Sequence, residues 1–337
     1  MPIADFRFPI LDLESCEFTS SRVLRDQLAI GNQKSAMLIE CVPNFSEGRK
    51  PDVIEEIAQA IRSTPAIVLN RHIDADHHRS VITFVAEPAI IVEAAVRAVA
   101  RAKELIDLRR HAGEHPRIGT TDVLPFVPVS GVTLEDCVAL AHEAGHRIWQ
   151  ELSIPIYFYE RAALRPDRAR LENVRRKGFE ELRDEIATNP ERRPDVGGPR
   201  VHPTAGAIAV GARPFLIAFN VTLKTGDLMM ARRIARAVRE RDGGLPFVKA
   251  LGFDLHSRGL VQVSMNLIDY QQTSIAEAFK AVQDQARELG VEIAGAEIVG
   301  LVPRAAIDRT ADYFPLLENF REELILENLL EAASSKG

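Results

Sequence analysis

From Met37 onward, apolar and polar positions follow two periodicities, one typical of strands and one typical of helices. Four apolar segments of strand length occur in the first part, namely LIECVPN, AIVLNRH, SVITFVA and VLPFVPV. Two segments with apolar residues at helical spacing lie between them and begin at Pro51 and Pro88, since proline suits the first turn of a helix. The predicted order of elements is β-α-β-β-α-β.

The same order recurs in the second part of the chain. Its predicted strands are FLIAFNVTL, FVKALGF, LVQVSMNLI and VEIAGAEIVGLVP, and its helices run from about Leu228 and from about Ile275. This order is that of a ferredoxin-like subdomain, an antiparallel sheet with helices on one face. We therefore predict an α+β protein with two ferredoxin-like βαββαβ subdomains, residues 37–211 and 212–330, and a cleft between them.

Three further segments extend this pattern. A helix near residues 133–151 and a strand, IPIYFYE, follow the first series. Residues 160–200 are rich in arginine and glutamate, which favours short helices with a solvated face. The glycine-rich segments PDVGGPRVHPTAGAIAVGARPF and RDGGLPFVKALGF are predicted loops, which serve either as ligand contacts or as plain connections.

Residues 1–36 show neither strand nor helix periodicity. They also lack the basic start and apolar core of a signal peptide. Two interpretations stay open. The segment is either an extension, disordered or not native, with Met37 as the natural start, or an element packed on the body of the protein.

Composition narrows the classes of function. The length of 337 residues suits about two domains, and the net charge of -6 provides no general attraction for nucleic acid. The three cysteines have no CxxC spacing, which indicates reduced thiols and a cytoplasmic protein. No apolar run approaches the roughly 20 residues of a membrane helix. The sequence also lacks the GxGxxG, GxxxxGK[ST] and GxSxG motifs. His142 and His146, in AHEAGHRIW, stand at i and i+4 on a predicted helix, but no third zinc ligand is evident in the sequence.

Polar clusters stand at the ends of two predicted strands. In VPNFSEGR, Asn44 and Ser46 precede a helix, so they either cap it or contact a substrate. In HIDADHHRS, the turn between two strands is either a solvated tip or the source of a carboxylate, Asp74, that orients an imidazole. Arg79 also belongs to this second cluster.

The third cluster, HAGEHPRIGTTDVLPF, places His111, Glu114, His115 and Arg117 on a turn that leads into a buried strand. A histidine here could act as a general acid and base, or it could simply hold the turn in place. The histidines and carboxylates of these clusters could also bind a metal ion, but their spacing matches no metal motif, so we expect no metal.

Four segments together resemble the formiminotransferase family: ECVPNFSEGR, RHAGEHPRIGTTDVLPFVPV with GVTLEDCV, AFNVTL and AEIVGLVP. The resemblance extends from about Leu38 to about residue 330. It implies two α/β subdomains around a substrate cleft, in a cytoplasmic homodimer. The cyclodeaminase portion that some members carry has no counterpart in the sequence.

The resemblance also implies an activity. Members transfer the formimino group from N-formimino-L-glutamate to tetrahydrofolate, giving 5-formiminotetrahydrofolate and glutamate, during histidine breakdown. The catalytic histidine of the family corresponds to His115 and its carboxylate to Asp74. Predicted contacts with the substrates, in two folate loops and on nearby strands, are Asn44, Gly197, Gly198, Pro199, Gly206, Asn220, Gly243, Gly244, Lys249 and Gly252.

The chemistry suits these residues. The incoming folate nitrogen must lose a proton and the departing glutamate nitrogen must gain one, and a single imidazole can do both. A carboxylate, Asp74 or Glu114, would polarise the imidazole or face the positive amidine carbon. Arg79 or Arg117 would hold the glutamate carboxylates through paired hydrogen bonds.

The sequence departs from the family pattern at three places. Asp76, His77 and His78 stand where small polar residues are expected, no aromatic residue lies near Ala205, and Phe247 replaces a basic pair. Two other functions therefore stay open. One is a metal-assisted hydrolase of formimino- or formyl-glutamate, and the other is a folate-binding protein without turnover.

Overall fold

A computed structural model of the chain describes residues 37–112, 116–307, 317 and 320–335. The segment 1–36 and the residues Glu114 and His115, all subjects of predictions, lie outside the described residues. None of the helices in the described part is both long enough and apolar enough to cross a bilayer.

The N-terminal half of the described chain forms one seven-stranded sheet. Its strands are β1 (Leu38–Cys41), β2 (Asn44–Phe45), β3 (Ile67–Asp74), β4 (Arg79–Ala86), β5 (Thr121–Ser130), β6 (Ile156–Glu160) and β7 (Ile208–Ala212). β1 and β2 share one place between β4 and β5, β3 pairs with the other edge of β4, and these pairings are antiparallel. β7 and β6 continue the sheet beyond β5 with parallel pairings.

Helices pack against one face of this sheet. They are α1 (Pro51–Arg62), α2 (Pro88–Leu105) and α3 (Leu134–Leu152). Their apolar faces meet alternate strand residues such as Ile39, Phe84 and Phe126 in the largest buried cluster. Because successive strand residues point to opposite faces, the residues between these, such as Glu40, lie on the face without helices.

A four-stranded antiparallel sheet forms the second half, in the order β11-β8-β10-β9. Its strands are β8 (Ile217–Leu223), β9 (Val248–Leu255), β10 (Leu260–Leu267) and β11 (Ile293–Val299). Helices α6 (Leu228–Val238) and α7 (Ile275–Glu288) bury their apolar faces against it. Serine and aspartate caps begin these helices, since Ser274 accepts from the Glu277 amide and Asp227 accepts from the Met229 amide.

The remaining helices are short. α4 (Leu171–Val174) and α5 (Gly178–Glu185) belong to the polar region, and α8 (Arg304–Ile307) and α9 (Leu326–Ser335) follow the second sheet. The described chain is thus an α+β protein with two sheets. Both predicted series of strands and helices are present in their predicted order.

Two predictions need correction. Residues 208–212 were expected in a loop, yet they form β7, because the small residues of this segment fit between β5 and β6. A side chain at Gly211 would meet the Tyr159 ring at 2.5 Å. The polar region 160–200 is also more than a solvated face, since Arg168 and Arg192 are buried and Arg168 pairs with Asp195 at 2.5 Å.

Candidate active site

The faces of the two sheets that carry no helices border one cavity of about 630 Å³. Strands of the first sheet contribute alternate residues, among them Glu40, Asn44 and Arg79, and the second sheet contributes Asn220 and Lys249. Most charged residues on its walls are basic. The basic residues are Arg79, Arg170, Arg175, Arg213, Arg239, Arg241 and Lys249, and the acidic ones are Glu40, Asp74, Glu160, Glu172 and Glu240. The cavity therefore suits an anionic ligand.

Five residues predicted from the sequence come together on the walls of this cavity. They are Asn44, Asp74, Arg79, Asn220 and Lys249. Lys249 connects the two halves of the chain, because its ammonium group lies 3.0 Å from Glu172 and 3.6 Å from Glu160. The side-chain amide of Asn220 donates to Glu297 at 2.9 Å, which orients it on the second sheet.

The other predicted contacts do not line the cavity. They are Arg117, Gly197, Gly198, Pro199, Gly206, Gly243, Gly244 and Gly252. Several of these glycines are placed where backbone packing leaves no room for a side chain. A Cβ atom would come within 2.2 Å of the Ile118 carbonyl at Gly206 and within 2.6 Å of the Arg232 nitrogen at Gly252. Neighbouring residues, including Arg239, Arg241 and Leu251, are the ones that border the cavity.

The VPNFSEG segment holds the turn between β3 and β4 in place. Neither Ser46 nor Asn44 caps α1: the Ser46 hydroxyl donates to the Gly119 carbonyl at 2.7 Å, and the Asn44 amide donates to the Val42 carbonyl at 2.8 Å. Glu47 instead accepts from the amides of residues 49 and 50, just before α1. Gly48 allows close contact, because a Cβ atom there would lie 2.0 Å from the Asp74 carbonyl.

Asp74 and His77 form a partly buried pair on this turn. The His77 amide donates to Asp74 Oδ1 at 2.8 Å, and His77 Nδ1 lies 2.7 Å from Asp74 Oδ2. Burial by itself would raise the pKa of Asp74, but the hydrogen bonds and charge of His77 outweigh it and hold this pKa below its usual value. His77 is only 7% exposed and packs edge-on against Phe253 of the second sheet, 5.1 Å between centroids. Ala75 is exposed, but His77 ties the turn to the second sheet.

Arg79 lies on the cavity wall next to this pair. Its guanidinium group donates to Asn44 Oδ1. Burial, together with the nearby charge of Arg175, lowers its pKa to about 10, so the group remains cationic at neutral pH. Arg175 itself is paired with Asp122 at 2.9 Å. Arg79 is therefore the predicted arginine that faces the cavity, whereas Arg117 pairs with Glu180 at 2.7 Å outside it.

The structure describes the residues that precede and follow Glu114 and His115. His111 and Ala112 precede them and contact the β3–β4 turn, and Pro116 and Arg117 follow them. Pro116 and His111 border a small second cavity together with residues of that turn. The chain neighbours of His115 therefore lie beside the turn that carries Asp74.

Sequence reasoning missed Glu40, which stands on β1 and lines the cavity at 2% exposure. Burial raises its pKa to about 7, against a smaller opposing effect of the nearby Arg213. A lone charged residue within the apolar strand LIECVPN was the available signal. Arg175 and Arg213 were missed as well, because only the tertiary structure brings the polar region and the link between the sheets to the cavity.

We predict that Glu40→Gln stabilises the protein at alkaline pH. The pKa of Glu40 rises from 4.5 to about 7 on folding, so its contribution to stability is present at acidic pH and is lost as the pH rises through 7. At about pH 8 the variant should be more stable than the wild type by roughly 3 kcal/mol, since each pH unit between the two values is worth about 1.4 kcal/mol. Urea unfolding from about pH 5 to pH 8 measures the difference.

Glu143→Gln, an exposed change on α3, serves as the control and should leave the pH dependence unaltered. Parallel stability curves for the wild type and Glu40→Gln across this range would show that Glu40 is not strained by burial.

Within the described residues, which omit Glu114 and His115, no group of three or more histidine, cysteine, aspartate or glutamate side chains could hold a metal ion.

Comparison with known families and proteins covers most of the chain. The N-terminal subdomain of the formiminotransferase domain matches residues 38–213, and the formiminotransferase domain model that follows it matches residues 218–329. A microcompartment protein from Desulfitobacterium hafniense covers 81% of this chain and 99% of its own, but the TM-score of 0.20 and the identity of 9% support no structural comparison.

Curated relatives are much more similar. A glutamate formimidoyltransferase from Thermoplasma acidophilum is 45% identical over 300 residues, which cover 88% of this chain and 99% of that protein. Another from Streptococcus pyogenes is 41% identical with the same coverage. The formimidoyltransferase-cyclodeaminase of Rattus norvegicus is 40% identical, and the match spans 87% of this chain and 57% of the rat protein. The chain belongs to the formiminotransferase family.

Proposed function

We propose that this chain is a glutamate formimidoyltransferase, which transfers the formimino group of N-formimino-L-glutamate to tetrahydrofolate. The observation that carries the proposal is the shared cavity between the sheets, where Asp74 and Arg79 stand beside the segment that continues to His115. The similarity to curated enzymes of this name over 88% of the chain supports it. Tetrahydrofolate acts as a co-substrate, and the reaction belongs to histidine catabolism.

The reaction forms one bond and breaks one. Nitrogen N5 of tetrahydrofolate attacks the formimino carbon and gives a tetrahedral intermediate. Collapse of the intermediate breaks the bond to the glutamate nitrogen. We assign the proton transfer to His115, which takes the proton from N5 and returns it to the departing nitrogen.

Other residues stabilise charge and hold the substrates. The ionised Asp74 faces the cationic amidine or the imidazolium that forms during transfer. Arg79 pairs with a carboxylate of formiminoglutamate, and its burial strengthens that pairing. The cavity of about 630 Å³ holds both substrates in contact, which lowers the entropic part of the barrier.

The strand orders support a ferredoxin-like assignment for both halves. The second sheet has the order β11-β8-β10-β9, in which the fourth strand lies next to the first and the third lies next to the second. The first sheet repeats this order through β5, β1, β4 and β3, before β7 and β6 extend it. We infer two ferredoxin-like subdomains that present their helix-free faces to one cavity. Homodimer formation and cytoplasmic location stay predictions.

The decisive experiment incubates the purified protein with formiminoglutamate, with and without tetrahydrofolate. We expect 5-formiminotetrahydrofolate and glutamate in equal amounts, and only when both substrates are present. Release of glutamate without folate, lost on treatment with a chelator, would instead identify a metal-assisted hydrolase. Binding of folate without any product would identify a binding protein.

A further inference from the structure

The β3–β4 turn and the segment before His115 are joined by reciprocal hydrogen bonds. His78 Nδ1 lies 2.8 Å from the Ala112 carbonyl, and His111 Nε2 lies 3.0 Å from the His78 carbonyl. The two imidazole rings are stacked, with centroids 4.2 Å apart and an angle of 14° between their planes. Arg117, which follows His115 in the chain, donates to the His111 carbonyl at 3.0 Å. Contacts with the β3–β4 turn thus restrain the residues before Glu114. Arg117 connects those residues to the chain after His115.

His78 has two acceptors on opposite sides of its ring. Nδ1 faces the Ala112 carbonyl, and Nε2 faces the Glu47 carboxylate at 3.2 Å. The ring of His78 thus bridges two segments, the residues before Glu114 and the VPNFSEG segment before α1.

The stacked partner, His111, is neutral. Burial, together with the nearby His78 and Arg117, lowers the pKa of His111 to about 4. Its single proton is therefore on Nε2 at physiological pH, where it donates to the His78 carbonyl. This hydrogen bond is the second contact between the turn and the residues before Glu114.

The backbone of the turn is left-handed at His78. Its φ is 50°, a conformation that is uncommon outside glycine and in which asparagine, aspartate and histidine are enriched. The same turn carries Asp74, and its Asp76 accepts a hydrogen bond of 2.7 Å from the Ser257 hydroxyl of the second half. One short turn therefore connects Asp74, the residues before Glu114 and the second half of the chain.

We propose that His78 is a positioning residue, which holds His111 and Ala112, the residues that lead to His115, against the turn that carries Asp74. The catalytic part of this inference depends on the proposed function, because it assumes that His115 transfers the proton.

His78→Asn tests the proposal with little backbone strain, since asparagine tolerates the left-handed conformation. The asparagine amide keeps one donor but cannot contact Ala112 and Glu47 at once. We expect kcat to fall by about 10- to 100-fold while KM for both substrates changes by less than about 3-fold, because a small displacement of a catalytic group affects the chemical step.

Glu47→Gln is the second variant. It retains an oxygen acceptor for the amides before α1 but removes the carboxylate that faces His78 Nε2. We expect kcat to fall less than in His78→Asn, because His78 keeps its contact with Ala112. His146→Asn, an exposed change on α3, is the matched control and should leave kcat and both KM values unchanged.

Hydrogen–deuterium exchange provides a readout that does not depend on catalysis. The peptide covering residues 111–117 should exchange faster in His78→Asn than in the wild type and the control. Folded His78→Asn protein with wild-type exchange in this peptide and a wild-type kcat would overturn the proposal. Faster exchange in His78→Asn, when the wild-type protein itself transfers no formimino group, would support the positioning role and reject the proposed function instead.

Discussion

Replacing His115 with alanine should lower the rate of formimino transfer by roughly 10²–10⁴-fold, the usual contribution of a positioned general acid and base. KM for the two substrates should change little, because His115 acts on protons that move only during the reaction. Single-turnover measurements with saturating substrates separate this loss from an effect on binding. Far-UV circular dichroism and urea unfolding check that the variant remains folded.

The control is His146→Ala, which removes an imidazole from the exposed surface of α3. It should have wild-type turnover. Added imidazole should partly restore the activity of His115→Ala, since a small base can enter the space left by the side chain. Wild-type turnover in His115→Ala would reject the assignment of His115. Glu114 and Asp74 would then be the candidates for proton transfer.

Replacing Arg79 with leucine should raise KM for formiminoglutamate by about 10- to 100-fold, since a hydrogen-bonded charge pair is worth roughly 1.5–3 kcal/mol and each 1.4 kcal/mol is a factor of ten. Arg79 is the buried guanidinium on the cavity wall, held by Asn44 Oδ1. KM for tetrahydrofolate should change less than KM for the donor. Steady-state kinetics with each substrate varied in turn measures both values.

Two further variants are compared with Arg79→Leu. Arg79→Lys keeps the charge but loses the paired hydrogen bonds, so it should restore only part of the affinity. Arg71→Leu removes an arginine from the preceding strand, where it pairs with Glu55 away from the cavity, and should leave both KM values unchanged. If Arg79→Leu binds formiminoglutamate as the wild type does, another basic residue on the wall holds the donor, and Arg175 and Arg213 are then the candidates.

The hydrophobic pattern was sufficient to predict most of the strands and helices. The short, nearly continuous apolar run SVITFVA predicts a strand buried on both faces, which β4 is, and the spacing of about 3.6 in α2 and α7 predicts helices with one buried face; both patterns are local properties of the sequence. β7 escaped the prediction because its small residues carry little apolar signal, and its place between β5 and β6 depends on distant partners. Gly206 and Gly252, in the predicted loops, likewise pack against the backbone of residues distant in the chain, so their role could not be read from local sequence.

Some features of the candidate site could likewise be predicted from the sequence, and others could not. Asn44, Asp74 and Arg79 could be predicted because they stand at the ends of strands, where side chains of neighbouring strands converge. The departure from the family pattern at Asp76, His77 and His78 was visible in the sequence, but its effect was not. In the structure these three residues contact Ser257, Phe253 and the segment before His115.

The sequence by itself determined the order of the elements, the family and the residue types available for proton transfer, because periodicity and short motifs are read along the chain. Only the tertiary structure decided which face of each sheet lines the cavity, that Glu40 and Arg175 lie on its walls, and that His78 joins two segments of the site. These features depend on contacts between residues far apart in the chain. Burial then raises the pKa of Glu40 to about 7, and that burial cannot be read from local sequence.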